Sequence, residues 1–126
     1  MKLIVTHSIE KIELKPLANT FPVEAVKAAA KKSLSGLGEN IKNTKKLSAT
    51  TLSKVYLTSP GGAGRTIFLL QVSSEKAVLV LIRLKNDKQI GANMTVKNPK
   101  FEKILEKNLD LIFADLKSGK FTEYEI

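Results

Sequence analysis

The sequence predicts a single small α+β domain: an antiparallel β-meander sheet with N-terminal helices and a long C-terminal helix. Three observations lead there. Thr66 to Val72 and Ala77 to Leu84 are apolar runs without the polar alternation of a half-wet strand, so they read as strands covered on both faces. Val55 to Thr58 precedes them across a glycine-rich connection, which makes a three-stranded meander. Two segments, Pro22 to Leu34 and Pro99 to Lys117, repeat their apolar residues at helical spacing and carry helix start and stop signals. A chain of 126 residues fits one domain that can bury a sizeable core without staples.

In chain order, Leu3-Ile4-Val5 reads as a short buried strand, and Ile12 and Leu14 alternating with Lys11, Glu13 and Lys15 as a half-buried one, the two pairing as a hairpin. Lys15-Pro16 ends that segment, because proline removes a ladder donor and holds the residue before it extended. Thr20-Phe21-Pro22 opens the first helix, with Thr20 as cap, and Val23, Val26, Ala30, Leu34 and Leu37 form its apolar stripe. Gly36 and Gly38 stop it. A short second helix is expected near Ile41 to Leu47, carrying Lys45 and Lys46 beside the sheet. Asn98-Pro99 is a helix start with Asn98 as cap, and Phe101, Ile104, Leu105, Leu109, Ile112, Phe113 and Leu116 make an unbroken stripe that ends at Gly119. The tail Phe121 to Ile126 alternates like an edge strand, with Thr122, Tyr124 and Ile126 on one side.

Composition narrows the chemistry. There is no cysteine, so disulfides, thiol nucleophiles and cysteine-ligated zinc are excluded. His7 is the only histidine, too few for a histidine-rich metal shell or a Ser/His/Asp relay, so no metal and no cofactor is expected. The apolar run at the N-terminus is far shorter than the ~7 to 15 residues of a signal-peptide core, and a cytoplasmic, membrane-free protein is expected. With 21 Lys and Arg against 12 Asp and Glu, the formal charge is +9, which favours polyanions. Lysine-rich composition can also arise from base-composition bias, so charge alone does not decide. Most of the 5 Phe fall in core patterns and there is no Trp, so no stacking platform is visible.

The connection Ser59-Pro60-Gly61-Gly62-Ala63-Gly64 invites a phosphate-loop reading, but a P-loop needs Gly-x-x-x-x-Gly-Lys-Ser/Thr between a strand and a helix. Here the glycines lie between two strands, so they read as a hairpin connection. The only two arginines, Arg65 and Arg83, sit at the ends of the two apolar strands. They can serve as phosphate ligands through their bidentate forks or as surface ion pairs with carboxylates such as Asp87.

This central stretch resembles the RelE/ParE toxin family. Gly62-Ala63-Gly64-Arg65-Thr66-Ile67-Phe68-Leu69-Leu70, then Val78 to Leu84, then Lys85-Asn86-Asp87-Lys88, are similar to the Gly-Gly-x-Arg-hydrophobic strand and terminal Lys-Asn-Glu-Lys of the HigB-like branch. The likeness covers about a third of the chain, and residues 1–50 follow the family in layout more than in letters. It implies a RelE-like fold and a toxin neutralised by a cognate antitoxin, expected to be small and acidic. In the ribonuclease members it implies metal-independent cleavage of messenger RNA on the ribosome.

Such cleavage needs only a placed strand, a proton acceptor and charge stabilisation at the phosphate, since the 2′-hydroxyl of RNA is the nucleophile. The resemblance assigns these tasks to Arg65, Arg83, Lys85 and Lys88, with Lys54 behind them; Lys45 and Lys46, on the short helix expected beside the sheet, are further candidate nucleic-acid contacts or a solvated face. Ribonuclease members carry a tyrosine or histidine shortly after the last core strand, and Ile90-Gly91-Ala92-Asn93 has neither. Tyr56 and Tyr124 are left to fold back, and a ParE-like gyrase-directed toxin stays open, as do a non-catalytic nucleic-acid-binding domain and a pure interaction module. Oligomeric state is not fixed.

Two geometric expectations follow. In an antiparallel hairpin the numbers of opposed residues have a constant sum, so a turn of three or five residues puts Arg65, Arg83 and Lys85 on one face and a turn of four separates them. The family favours the first, with the three cations converging on one phosphate. One sheet face is expected to take a helix and the other to form a partner groove.

Overall fold

The structure, a computed structural model, describes residues 1–43, 50–88, 90, 94 and 98–126. It is an α+β domain built on a six-stranded sheet in the order β2-β3-β4-β5-β1-β6. The strands are β1 (Lys2–Thr6), β2 (Glu39–Asn43), β3 (Thr50–Ser59), β4 (Gly62–Gln71), β5 (Lys76–Leu84) and β6 (Phe121–Glu125). The meander of β3, β4 and β5 is present and antiparallel, with strands longer than the apolar letters alone mark. The sheet as a whole is mixed, because β1 runs parallel to β5 and antiparallel to β6.

The N-terminal segment corrects one expectation. After β1 the chain does not return as a strand: it makes a run of helical turns, α1 (His7–Ile9), a π-helical turn Glu10–Leu14 and a 3-10 turn Lys15–Leu17. Its buried positions are Ile9 and Glu13, four residues apart, while Ile12 is exposed. One of the two inward residues is charged, so the helical spacing was hidden behind an apparent alternation.

Helix α2 (Val23–Leu34) begins one residue later than predicted, with Pro22 at the cap and no side-chain cap bond, so Thr20 is not the cap. Instead Thr20 O accepts from Ser59 Oγ, which ties the β3–β4 turn to the helix approach. The inward face of α2 is Val26, Ala29, Ala30 and Ser33, small enough to approach β3 closely, and Ser33 Oγ meets Ser53 Oγ at 3.2 Å. Leu37 lies past the helix and is exposed. The second helix expected over 41–47 is replaced at its start by β2; the rest of it, with Lys45 and Lys46, falls outside the described residues.

Helix α3 (Pro99–Lys117) has the predicted bounds, and Asn98 Oδ1 accepts from Lys100 N–H at 3.1 Å. Its buried stripe includes two polar residues, Asn108 and Asp115, and Asp115 Oδ2 caps α1 by accepting from Ser8 N–H at 2.8 Å. α2 packs against β3, β4 and β5, and α3 against β5 and β1. Paired positions put Ser53 and Val55 of β3 on the α2 face and Arg83 on the α3 face. Both faces of the sheet therefore carry a helix, which corrects the expected bare groove. The α3 face includes a cleft of about 220 Å³ between Leu69, Val78, Leu116 and Phe121.

Candidate nucleic-acid interface

Arg65 faces Arg83 directly across the β4–β5 ladder, and Tyr56 faces Arg65 across the β3–β4 ladder. Directly opposed residues share a face, so Tyr56, Arg65 and Arg83 form one row near the hairpin end of the sheet. The turn between β4 and β5 has four residues, Val72 to Glu75, which alone would have separated the arginines. A bulge between the Ile67 and Phe68 pairings leaves Val80 as an extra residue in β5, and that single insertion brings Arg83 back to the face of Arg65.

Two cations opposed in this way repel, and a buried carboxylate offsets the charge of Arg83. Arg83 Nη1 is ion-paired with Glu13 Oε1, whose side chain is 2% exposed. The same oxygen accepts from Ile82 N–H at 3.0 Å, and Glu13 Oε2 accepts from Asn108 Nδ2 at 3.3 Å. Asn108 Nδ2 also donates to Val80 O at 2.9 Å. The β1–β5 ladder extends only to Ile4 and Val78, so Glu13 and Asn108 satisfy backbone groups of β5 beyond the point where β1 stops pairing. Arg83 is thus a positioned residue with a structural anchor, 18% exposed at its side chain.

Tyr56 is the opposite case, 56% exposed. The Arg65 guanidinium lies 5.1 Å from its ring centroid and the Lys54 ammonium 5.9 Å, both in cation–π range. Lys54 is 10% exposed at its side chain and pairs with Glu39 at 3.5 Å, so it supports the ring more than it faces solvent. An accessible aromatic face framed by cations suits a nucleobase with its phosphate alongside.

The remaining predicted cations go elsewhere. Lys85 N–H extends the ladder to Ala63 O at 3.0 Å, but its side chain borders a cleft of about 460 Å³ with Thr20, Gly61, Gly62 and Asn86, apart from the one that Arg83 borders. Lys88 is exposed in the following turn. The three cations expected to converge are therefore two in a row and one around the corner.

Arg83 instead shares a cleft with lysines that the sequence pattern did not single out. With Lys100, Lys103, Ile104 and Lys107 of α3 it lines an open cleft of about 350 Å³. The lysines recur at the spacing of one helix face, a signal present in the letters but indistinguishable there from an ordinary wet face. No family model matches the chain, and no significant match is found among curated proteins or solved structures.

Proposed function

We propose that this chain is a toxin of the RelE/ParE type that binds single-stranded RNA through the Tyr56–Arg65–Arg83 row and cleaves it without a metal. The observation that carries this reading is the row itself: an exposed tyrosine between cations on the face where the two arginines meet. Tyr56 supplies from β3 the tyrosine that residues 90–93 lack.

In this reading a base stacks on the Tyr56 ring and the adjoining phosphate sits on Arg65, backed by the anchored Arg83. The RNA 2′-oxygen attacks phosphorus and the bond from phosphorus to the 5′-oxygen breaks. The products are a 2′,3′-cyclic phosphate and a 5′-hydroxyl. The proton lost by the 2′-hydroxyl passes to solvent, and the Tyr56 phenol protonates the leaving 5′-oxygen, recovering its proton from water. Arg65 stabilises charge at the phosphorane. A small acidic antitoxin would neutralise the basic face, and a cytoplasmic site of action goes with that role; among the described residues no helix is long and apolar enough to cross a membrane.

Incubation of the protein with an end-labelled RNA in chelator, with and without ribosomes, tests this. Cleavage giving cyclic-phosphate ends is expected. Arg65→Ala should lose about a hundredfold or more of the rate, in the range of removing one charge-stabilising donor. Tyr56→Phe should keep RNA binding and lose cleavage. The engagement of Arg83 by Glu13 favours a second reading, in which the row binds nucleic acid without cutting it; binding without products under either condition would decide for it. Growth inhibition with neither binding nor cleavage would point to a gyrase-directed toxin.

A further inference from the structure

The cleft between β5 and α3 adjoins the row through Arg83, which borders both. Lys100, Lys103 and Lys107 are exposed at i, i+3 and i+7 of α3, so they form one stripe about 10 Å long at 1.5 Å per residue. Among the described residues no carboxylate pairs with any of the three, whereas Lys2, Lys27, Lys54 and Arg83 each have at least one. Glu102 projects from another side of the helix, Glu106 flanks the stripe three residues after Lys103, and Asp110 marks its far end. Lys100 also lies in the first turn of α3, where the helix dipole adds to the positive potential. Unpaired like charges held together on one cleft are unfavourable until a polyanion neutralises them.

We infer that this cleft is a second binding segment for the same RNA, a track for backbone phosphates leading away from the nucleotide held at Tyr56 and Arg65. The inference rests on the proposed RNA reading and extends it: base contact at the row, phosphate contacts along α3. Polynucleotide is favoured over an acidic peptide because the stripe is continuous with an exposed aromatic that offers a stacking face. Among its described lining residues only Ile104 offers an apolar anchor to a protein partner.

The test is fluorescence anisotropy of a labelled single-stranded RNA against salt concentration, for the wild type, for Tyr56→Ala and for a triple variant Lys100→Gln/Lys103→Gln/Lys107→Gln. Glutamine is a good helix former, and matching circular-dichroism melts would confirm the triple variant's fold. Arg65 and the three lysines as phosphate contacts give the wild type a slope of log affinity on log salt of about −2.8. The triple variant should flatten it by about 2 and, with affinities converging near 1 M salt, lose roughly a hundredfold at 0.1 M. An unchanged slope in the triple variant, with Tyr56→Ala weakened, overturns the track and leaves the row reading in place. No RNA binding by the wild type overturns both. A polyglutamate peptide of equal charge that displaces the RNA from the wild type and itself loses affinity equally in the triple variant would assign the cleft to an acidic protein segment and overturn the track.

Discussion

From its place in the turns after β1, Glu13 is bonded to two other elements at once, to Arg83 and Ile82 N–H of β5 and to Asn108 of α3. Removing one partner of a buried ion pair leaves the other charge uncompensated, which typically costs about 3–5 kcal/mol. Glu13→Ala is therefore expected to lower unfolding free energy in urea by an amount in that range, and a loss under about 1 kcal/mol would mean that Arg83 recovers its hydration. The double change Glu13→Leu/Arg83→Met should recover part of the loss, because apolar replacement of both partners is often tolerated. This residue also shows where reading the letters failed. Glu13, Asn108 and Asp115 are buried polar groups in stripes otherwise recognised by apolar letters, so a period count passes over them. The arginine pair was legible as two isolated residues at strand ends, but the carboxylate that fixes one of them is 70 positions away.

Among the elements, α3 was legible to the residue because every signal agrees: an Asn-Pro start, five turns of apolar spacing and a glycine stop. The meander was legible for the same reason. β2 was not, since Glu39 to Asn43 contains one apolar residue and takes its strand geometry from pairing with β3. The glycines of the hairpin were read correctly as a connection, yet Gly64 has a second task inside β4. A Cβ there would stand 2.6 Å from Phe21 Cζ and 2.7 Å from Arg83 O, so only glycine lets the Phe21 ring lie against the sheet on the face opposite the arginine row. Gly64→Ala should destabilise by about 1–3 kcal/mol, the range for overpacking a filled core. It should also weaken RNA binding by displacing Arg83, whereas Gly36→Ala, with nothing within 4 Å, costs only the strain of its φ of +83° and leaves binding unchanged.

For the molecule as a whole, +9 charges on a 126-residue chain repel one another, and the folded state holds them closer than the unfolded one. Raising salt from about 0.01 M to about 0.15 M shortens the screening length from about 30 to about 8 Å. The thermal midpoint should rise over that interval, and by less in the triple α3 variant, which carries three fewer positive charges; an equal rise in both would place the main repulsion elsewhere. Fold class was legible at this scale because it follows from the two-sided apolar strands and their flanking helices. The parallel placement of β1 between β5 and β6 was not, because strand order depends on pairings between distant segments that leave no local mark.

The extra residue Val80 has a consequence for how such a chain can change length over evolution. It sets the phase of the distal half of β5, so the stretch from Gln71 to Leu81 tolerates insertions and deletions only in compensated pairs. Deleting Val80 alone would send Arg83 to the α2 side and break the row without altering a single functional letter. A relative with one residue fewer in the β4–β5 turn could dispense with the bulge and keep the row, so an even spacing between the two arginines, more than the residues between them, is the signature to follow.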